Sequence, residues 1–154
     1  MKHISVREDD PNAHQLIRQW EAVLRGQKVL LIDDDIELLR LMAARFHAAG
    51  AEVEVAIDGQ AGLARFIARP AALVVTDIIM PNREGIETIV ALTKVQASTK
   101  IIAISGGYRV GPEDFLTLAR HVGADRALAK PIRLADLIRV AADLLGPPHS
   151  ACAA

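Results

Sequence analysis

The strongest constraint on the fold is an alternation of short aliphatic runs with segments of helical periodicity, which occurs five times along the 154 residues. The runs are Val29–Ile32, Val53–Ile57, Leu73–Thr76, Ile101–Ile104 and Ala127–Ala129. Apolar residues recur at helical spacing after each run, as Leu38, Leu39, Met42 and Phe46 do after the first. Repeated short connections of this kind require parallel strands, so we predict an α/β protein whose sheet carries helices on both faces.

The polarity of each run predicts its place in the sheet. The first, third and fourth runs are apolar throughout, which is typical of central strands buried on both faces. The segment Glu52-Val53-Glu54-Val55 alternates polar and apolar residues, which favours an edge strand. Ligands of such open sheets bind beyond the carboxyl ends of the strands, near the point where the strand order reverses. Chemistry is therefore expected at those ends.

Two segments flank the alternating unit, which spans residues 27–146. Residues 1–26 form an N-terminal extension in which Leu16, Ile17, Trp20, Val23 and Leu24 share one helical face. That amphipathic helix either docks on its own domain or forms a dimer or partner contact, because Trp is a common interface anchor. Residues 147–154 are predicted to be a disordered tail.

Charge and composition argue against several classes of partner. The formal net charge is -1 and no basic stripe is present, so no nucleic-acid partner is expected. No apolar stretch approaches the roughly 20 residues of a membrane span, and the first ten residues lack the apolar run of a secretory signal. The single cysteine, Cys152, excludes an internal disulfide and fits a reducing compartment. We therefore expect a cytoplasmic protein without a membrane or nucleic-acid partner.

Polar side chains follow four of the five runs: Asp33-Asp34-Asp35, Asp77, Ser105 and Lys130-Pro131. Each has a structural explanation when taken alone, since Asp35 is a plausible helix N-cap and a single Asp or Ser often forms a turn. Together they fall at the carboxyl ends of strands in one predicted sheet, which separate caps and turns do not explain. We therefore predict a single site.

The chemistry of these residues is mutually consistent. Asp33, Asp34 and Asp77 would bring three carboxylates together, and two unit charges about 4 Å apart repel by roughly 4 kcal/mol at an effective dielectric constant near 20. Such a cluster needs a cation, and oxygen ligands completed by water suit Mg²⁺. Lys130 would add a second positive charge, and two such cations can stabilise a phosphoryl group during transfer to a carboxylate.

These residues resemble the receiver domains of two-component response regulators, over roughly Gln27 to Gly146. The matching motifs are Val29-Leu30-Leu31-Ile32-Asp33-Asp34-Asp35, Val74-Val75-Thr76-Asp77-Ile78-Ile79-Met80-Pro81 with Gly85 following, Ile101-Ile102-Ala103-Ile104-Ser105-Gly106, and Ala129-Lys130-Pro131. The resemblance implies a flavodoxin-like, doubly wound, five-stranded parallel sheet in the order 2-1-3-4-5. An extra N-terminal helix precedes it in this chain.

The resemblance also implies a metal site and a phosphoacceptor. Asp77 would accept the phosphoryl group. Asp33 and Asp34 would bind Mg²⁺ (or Mn²⁺) together with Asp77, and Ile79 would contribute its backbone carbonyl.

Two further residues would contact the phosphoryl group according to the same resemblance. Ser105 would donate a hydrogen bond to its oxygens, and Lys130 would pair with them. The peptide bond between Lys130 and Pro131 would be cis.

The implied function is that of a single-domain response regulator and not of an enzyme. The phosphoryl donor would be a sensor histidine kinase or a histidine phosphotransfer protein. The signal would leave by phosphorelay or by phosphorylation-dependent binding of a downstream protein target, because only eight residues follow Gly146 and an output domain is not expected. Homodimer formation is left open.

Two alternatives depend on single positions. Many receiver domains carry an aromatic residue three positions before the Lys, and Ala127 stands there, which keeps a phosphorylation-independent scaffold in view. Asp33 and Asp35 also resemble the aspartates of haloacid-dehalogenase-like phosphatases. That family's Thr is replaced by Glu37, and the chain has no room for a cap domain.

Overall fold

The computed structural model describes residues 11–78, 85–106 and 112–146. Its helices are α1 Pro11–Leu24, α2 Ile36–Ala48, α3 Gly59–Ala68, α4 Gly85–Val95, α5 Pro112–Val122 and α6 Leu134–Leu145. Its strands are β1 Lys28–Ile32, β2 Glu52–Ala56, β3 Leu73–Asp77, β4 Lys100–Ser105 and β5 Arg126–Ala129. The predicted alternation of strands and helices is confirmed.

The sheet is parallel throughout and has the strand order β2-β1-β3-β4-β5. This order confirms the flavodoxin-like topology, and it confirms that β2 is an edge strand. The sheet order reverses between β1 and β3, so the carboxyl ends of these two strands lie side by side at the position where such folds bind ligands.

An apolar core fills each face of the sheet. Leu31, Val75 and Ile104 contribute to the face covered by α2 and α6, together with Met42 and Phe46 from α2. The opposite core contains Leu30, Val74 and Ile101 from the strands, with Phe66 from α3 and Leu92 from α4. Successive residues of a strand point to opposite faces of the sheet. Because the central strands are buried on both faces, the apolar side chains on either face stabilise the fold through their removal from water.

Aspartates at the ends of β1 and β2 start the helices that follow. Asp35 accepts a hydrogen bond from the backbone N–H of Leu38, and Asp58 accepts one from that of Ala61. The cap at Asp58 starts α3 at Gly59. β2 correspondingly ends at Ala56, and Ile57 lies outside the strand.

The N-terminal helix docks on its own domain. α1 packs against α6, Leu24 is fully buried, and Trp20 contacts the core beneath α2 and α6. An ion pair of 3.4 Å joins Glu21 of α1 to Arg45 of α2. Of the two predicted roles for this helix, docking within the chain is therefore present.

No helix in the described ranges combines the length and the apolar character that a membrane crossing requires.

Candidate functional site

The sheet brings the predicted polar residues to one edge. Ile32 pairs with Thr76 and Ser105 pairs with Ala129, so Asp33, Asp77, Ser105 and Lys130 all lie at the carboxyl ends of neighbouring strands. Backbone hydrogen bonds extend the ladder beyond the strands, since Asp33 N donates to Ala56 O at 3.1 Å and Lys130 N donates to Ser105 O at 2.8 Å. Their positions are therefore set by the hydrogen-bonded sheet.

Three carboxylates converge at this edge. Asp33, Asp34 and Asp77 each offer a carboxylate oxygen, and these oxygens lie within 4.8 Å of one another. Asp33 is 0% and Asp77 5% exposed, whereas Asp34 is exposed to solvent. The group is thus an acidic site in which two carboxylates are buried and the third is exposed to solvent.

Lys130 lies between the two buried carboxylates. Its Nζ is 2.9 Å from Asp77 Oδ2 and 3.1 Å from Asp33 Oδ2. The peptide bond between Lys130 and Pro131 is cis, as predicted. One ammonium group is therefore shared by two carboxylates that belong to two adjacent strands.

The electrostatics of the cluster favour a further cation. Burial raises the pKa of Asp33, and the charge of Asp77 raises it further, although the hydrogen bond from the Asp35 N–H and the Lys130 charge act in the opposite direction. Burial alone would lower the pKa of Lys130, but the hydrogen bond and charges of Asp77 and Asp33 outweigh it and the pKa is raised. Lys130 is consequently cationic, and it offsets only one of the three carboxylate charges.

The residues of the cluster fit a divalent metal. Asp33 Oδ2 is buried and, within the described part of the chain, makes no hydrogen bond, because its contact with Lys130 has the distance of an ion pair without hydrogen-bond geometry. The Lys130 ammonium lies 3.1 Å from this oxygen but is shared with Asp77, so one positive charge faces two buried carboxylates and a further cation would offset the excess negative charge. Hard oxygen donors are the ligands that Mg²⁺ prefers. Ile79, the predicted backbone ligand, lies outside the described residues.

Ser105 and Asp35 have separate roles in this geometry. Ser105 is fully buried at the end of β4, on the same edge as the carboxylates. Asp35 caps α2 and does not belong to the acidic group, as its interpretation as an N-cap predicted.

Sequence reasoning missed two residues that support the site. Thr76 is fully buried and donates a hydrogen bond from Oγ1 to the backbone carbonyl of Asp77 at 3.0 Å. Gly106 lies against the stem of Lys130, where a Cβ atom would be 3.2 Å from Cδ. A hydroxyl inside an apolar run was the only available signal for Thr76. Gly106 belongs to the motif that ends β4, but its contact with Lys130 had no sequence signal, because Lys130 follows another strand.

Comparison with known proteins agrees with this geometry. Residues 29–142 match the family model of the response regulator receiver domain. The chain belongs to this family, which acts in two-component signalling. The match covers β1 from Val29 onward, the other four strands and the strand-end residues described above.

Relatives include both short and long response regulators. The response regulator receiver protein CpdR of Brucella abortus is 29% identical over 117 residues, which cover 73% of this chain and 91% of that protein. The CpxR homolog of Haemophilus influenzae, a transcriptional regulatory protein, is 33% identical over 111 residues. The chain spans 47% of the length of that relative, or about half.

Solved structures of receiver domains have the same fold. A CheY-like receiver domain protein from Methanospirillum hungatei superposes with a TM-score of 0.71 at 27% identity, covering 77% of this chain and 94% of that one. Chemotaxis protein CheY4 of Vibrio cholerae gives a TM-score of 0.69 at 26% identity, covering 78% and 99% of the two chains.

Proposed function

We propose that this receiver domain accepts a phosphoryl group on Asp77 and signals through the resulting change at its surface. The observation that carries the proposal is the cation shared at the strand ends, where Lys130 Nζ lies 2.9 Å from Asp77 and 3.1 Å from Asp33. A carboxylate nucleophile beside fixed positive charge is the arrangement that stabilises phosphoryl transfer.

The proposed metal ligands are the carboxylates of Asp33, Asp34 and Asp77 with the backbone carbonyl of Ile79. The buried Asp33 oxygen without a hydrogen bond and the all-oxygen donor set support Mg²⁺ or Mn²⁺. When bound, the metal supplies positive charge to the phosphoryl oxygens and relieves repulsion among the carboxylates. Asp34 is exposed to solvent, so this ligand is accessible to an incoming ion.

The proposed transfer uses groups of this chain. One oxygen of the Asp77 carboxylate forms a bond to phosphorus while the bond from phosphorus to the donor's histidine nitrogen breaks. The bonding electron pair stays on the imidazole. After transfer, the Lys130 ammonium would pair with the negatively charged phosphoryl oxygens. The Ser105 hydroxyl would donate a hydrogen bond to them. The burial of Asp77 limits the approach of water.

The proposed partners follow from this chemistry. Receiver domains interact with histidine kinases or phosphotransfer proteins and with downstream targets, and we propose both kinds of partner for this chain. The output would be phosphorelay or phosphorylation-dependent binding of a target protein, as a cytoplasmic signalling module. We retain residues 27–146 as the proposed receiver domain, with residues 1–26 as its extension and residues 147–154 as a tail.

One observation weighs against the phosphatase alternative. Haloacid-dehalogenase-like chemistry would need Asp35 beside Asp33 in the site. The Asp35 carboxylate instead accepts a hydrogen bond from Leu38 N at 3.1 Å and caps α2. The cap holds this carboxylate at the first turn of α2, outside the group formed by Asp33, Asp34 and Asp77.

Intact mass after incubation with a small acyl-phosphate donor tests the proposal. The wild-type protein should gain one phosphoryl group with Mg²⁺ and none in a chelator, and Asp77→Asn should gain none in either condition. Asp58→Asn is the matched control, because Asp58 also follows a strand and caps a helix but lies outside the acidic cluster.

Two results would contradict the proposal. Labelling of Asp77→Asn would show that another residue is the acceptor. Equal binding of a target by wild type, phosphorylated wild type and Asp77→Asn would favour the phosphorylation-independent scaffold.

A further inference from the structure

Gly85 packs against the backbone of the proposed acceptor, Asp77. It is the first residue of α4 and is buried. Its backbone N–H donates a hydrogen bond to Ile78 O at 2.8 Å. The first turn of α4 is thereby joined to the residue that follows Asp77.

No side chain fits at this position. A Cβ atom on Gly85 would overlap the backbone carbonyl oxygen of Asp77 and would lie 2.5 Å from Ile78 Cα and 2.9 Å from Asp77 C. The obstructing atoms are all backbone atoms, which cannot rotate away as the end of a side chain can. Either α4 or the Asp77 peptide would have to move.

Neither element is free to move without cost. Asp77 pairs with Ile104, Ile78 N donates to Ile104 O at 2.9 Å, and the Asp77 carbonyl also accepts the hydrogen bond from Thr76. On the other side, α4 is anchored in the core by Ile89 and Leu92. Strain introduced at Gly85 would therefore be transmitted to the peptide of the acceptor.

We propose that Gly85 is a positioning residue for Asp77. Because Gly85 has no side chain, the first turn of α4 packs directly against the Asp77 backbone and so sets the distance of the acceptor from Lys130 and the other carboxylates. This inference rests on the proposed phosphoacceptor function. Reacting groups need placement within about 0.5 Å, and a displacement near 1 Å can cost roughly 100-fold in rate. The Asp77 to Lys130 contact of 2.9 Å leaves little tolerance.

Gly123 offers a matched control. Its φ is +127° and a Cβ there would lie 2.8 Å from Thr93 Cγ2, so Gly123→Ala is also strained. The contact is with a side chain between α4 and α5, away from the strand ends. Gly123→Ala should therefore lower stability without changing the geometry of the site.

The experiment compares Gly85→Ala, Gly123→Ala and wild type at a temperature where circular dichroism shows each to be fully folded. Phosphorylation rates are measured over a range of acyl-phosphate concentrations, and Mg²⁺ affinity is measured by calorimetry. Gly85→Ala should lower the saturating rate by about 10- to 100-fold and weaken Mg²⁺ binding. Gly123→Ala should match wild type in both.

A second measurement needs no variant. In the nuclear magnetic resonance spectrum of the wild-type protein, the amide signal of Gly85 should shift in proportion to Mg²⁺ saturation, and that of Gly123 should not. An unshifted Gly85 signal, or a Gly85→Ala protein that loads and binds Mg²⁺ as wild type does, overturns the positioning role and leaves the phosphoacceptor function standing. Failure of the wild type itself to load would overturn the proposed function instead.

Discussion

Two groups in this molecule each combine one cation with two carboxylates. The strand-end cluster contains Lys130, Asp33 and Asp77, and the edge cluster contains Arg69, Glu52 and Glu54. The Lys130 ammonium lies 3.1 Å from Asp33 and 2.9 Å from Asp77. The Arg69 guanidinium lies 3.8 Å from Glu52 and 3.5 Å from Glu54. Burial separates them further, because the strand-end carboxylates are 0% and 7% exposed at the side chain and the edge carboxylates are 59% and 34% exposed.

The difference shows that position in the sheet decides what a set of charges can do. Water screens the edge cluster, and exposed pairs of this kind contribute about 0–1 kcal/mol. Its charges serve better to keep the open edge of β2 from pairing with another strand. The strand-end cluster has lost most of its water, so its charges interact strongly and their imbalance favours a metal and an incoming phosphoryl group.

The largest expected effect is that of Lys130→Ala. Removal of the shared cation leaves two buried carboxylates facing each other, so stability at neutral pH in a chelator should fall by roughly 2–4 kcal/mol. Phosphorylation should slow by about 100-fold or more. Urea unfolding and intact mass measure the two effects, and Mg²⁺ should restore part of the lost stability. Unchanged stability in the chelator would mean that the cluster is as well screened as the edge cluster.

An intermediate effect is expected for Asp33→Asn. The pKa of Asp33 is raised in the folded protein, chiefly by burial, so folding favours its protonated form. Its contribution to stability is therefore present below the unfolded pKa of about 3.9 and is lost as the pH rises through the folded pKa. In a chelator at neutral pH, Asp33→Asn should thus be more stable than wild type.

The pH dependence distinguishes this cause from a simple change in packing. Urea unfolding at several pH values should show the advantage of Asp33→Asn shrinking as the pH falls through the raised pKa of Asp33 in the folded protein, and absent below the unfolded pKa of about 3.9. Mg²⁺ should stabilise wild type more than the variant. An advantage that is the same at every pH would argue against ionisation of Asp33 as its source.

The smallest effect is expected for Arg69→Ala. Its ion pairs are long and exposed, so the free energy of unfolding should change by no more than about 1 kcal/mol, and the difference should decrease at high salt. The phosphorylation rate should equal that of wild type. A loss comparable to that of Lys130→Ala would abolish the contrast between the two clusters.

Much of the site could be predicted from the sequence because parallel strands align their carboxyl ends. Once the five runs were recognised as strands, Asp33, Asp77, Ser105 and Lys130 had to share one edge of the sheet. The alternation in Glu52-Val53-Glu54-Val55 likewise predicted the edge strand, because only a half-exposed strand tolerates charges at every second position. Asp35 was predictable as a cap from its place before the apolar pattern of α2.

Contacts between elements that are distant in the chain were decided only by the tertiary structure. The amphipathic pattern of α1 could not distinguish docking from dimer formation, because both bury the same face, and packing against α6 resolved its place. The Lys130 ammonium contacts both Asp33 and Asp77, and this sharing depends on how the ends of three strands are placed relative to one another. Gly85 belongs to the motif that follows Asp77, but the reason why Gly is needed there, the carbonyl of Asp77 eight residues away, is visible only in the structure. The sequence by itself determined which residues reach the edge of the sheet, through the periodicity of strands and helices. Only packing determined the distances among them, because these depend on how rigid elements meet.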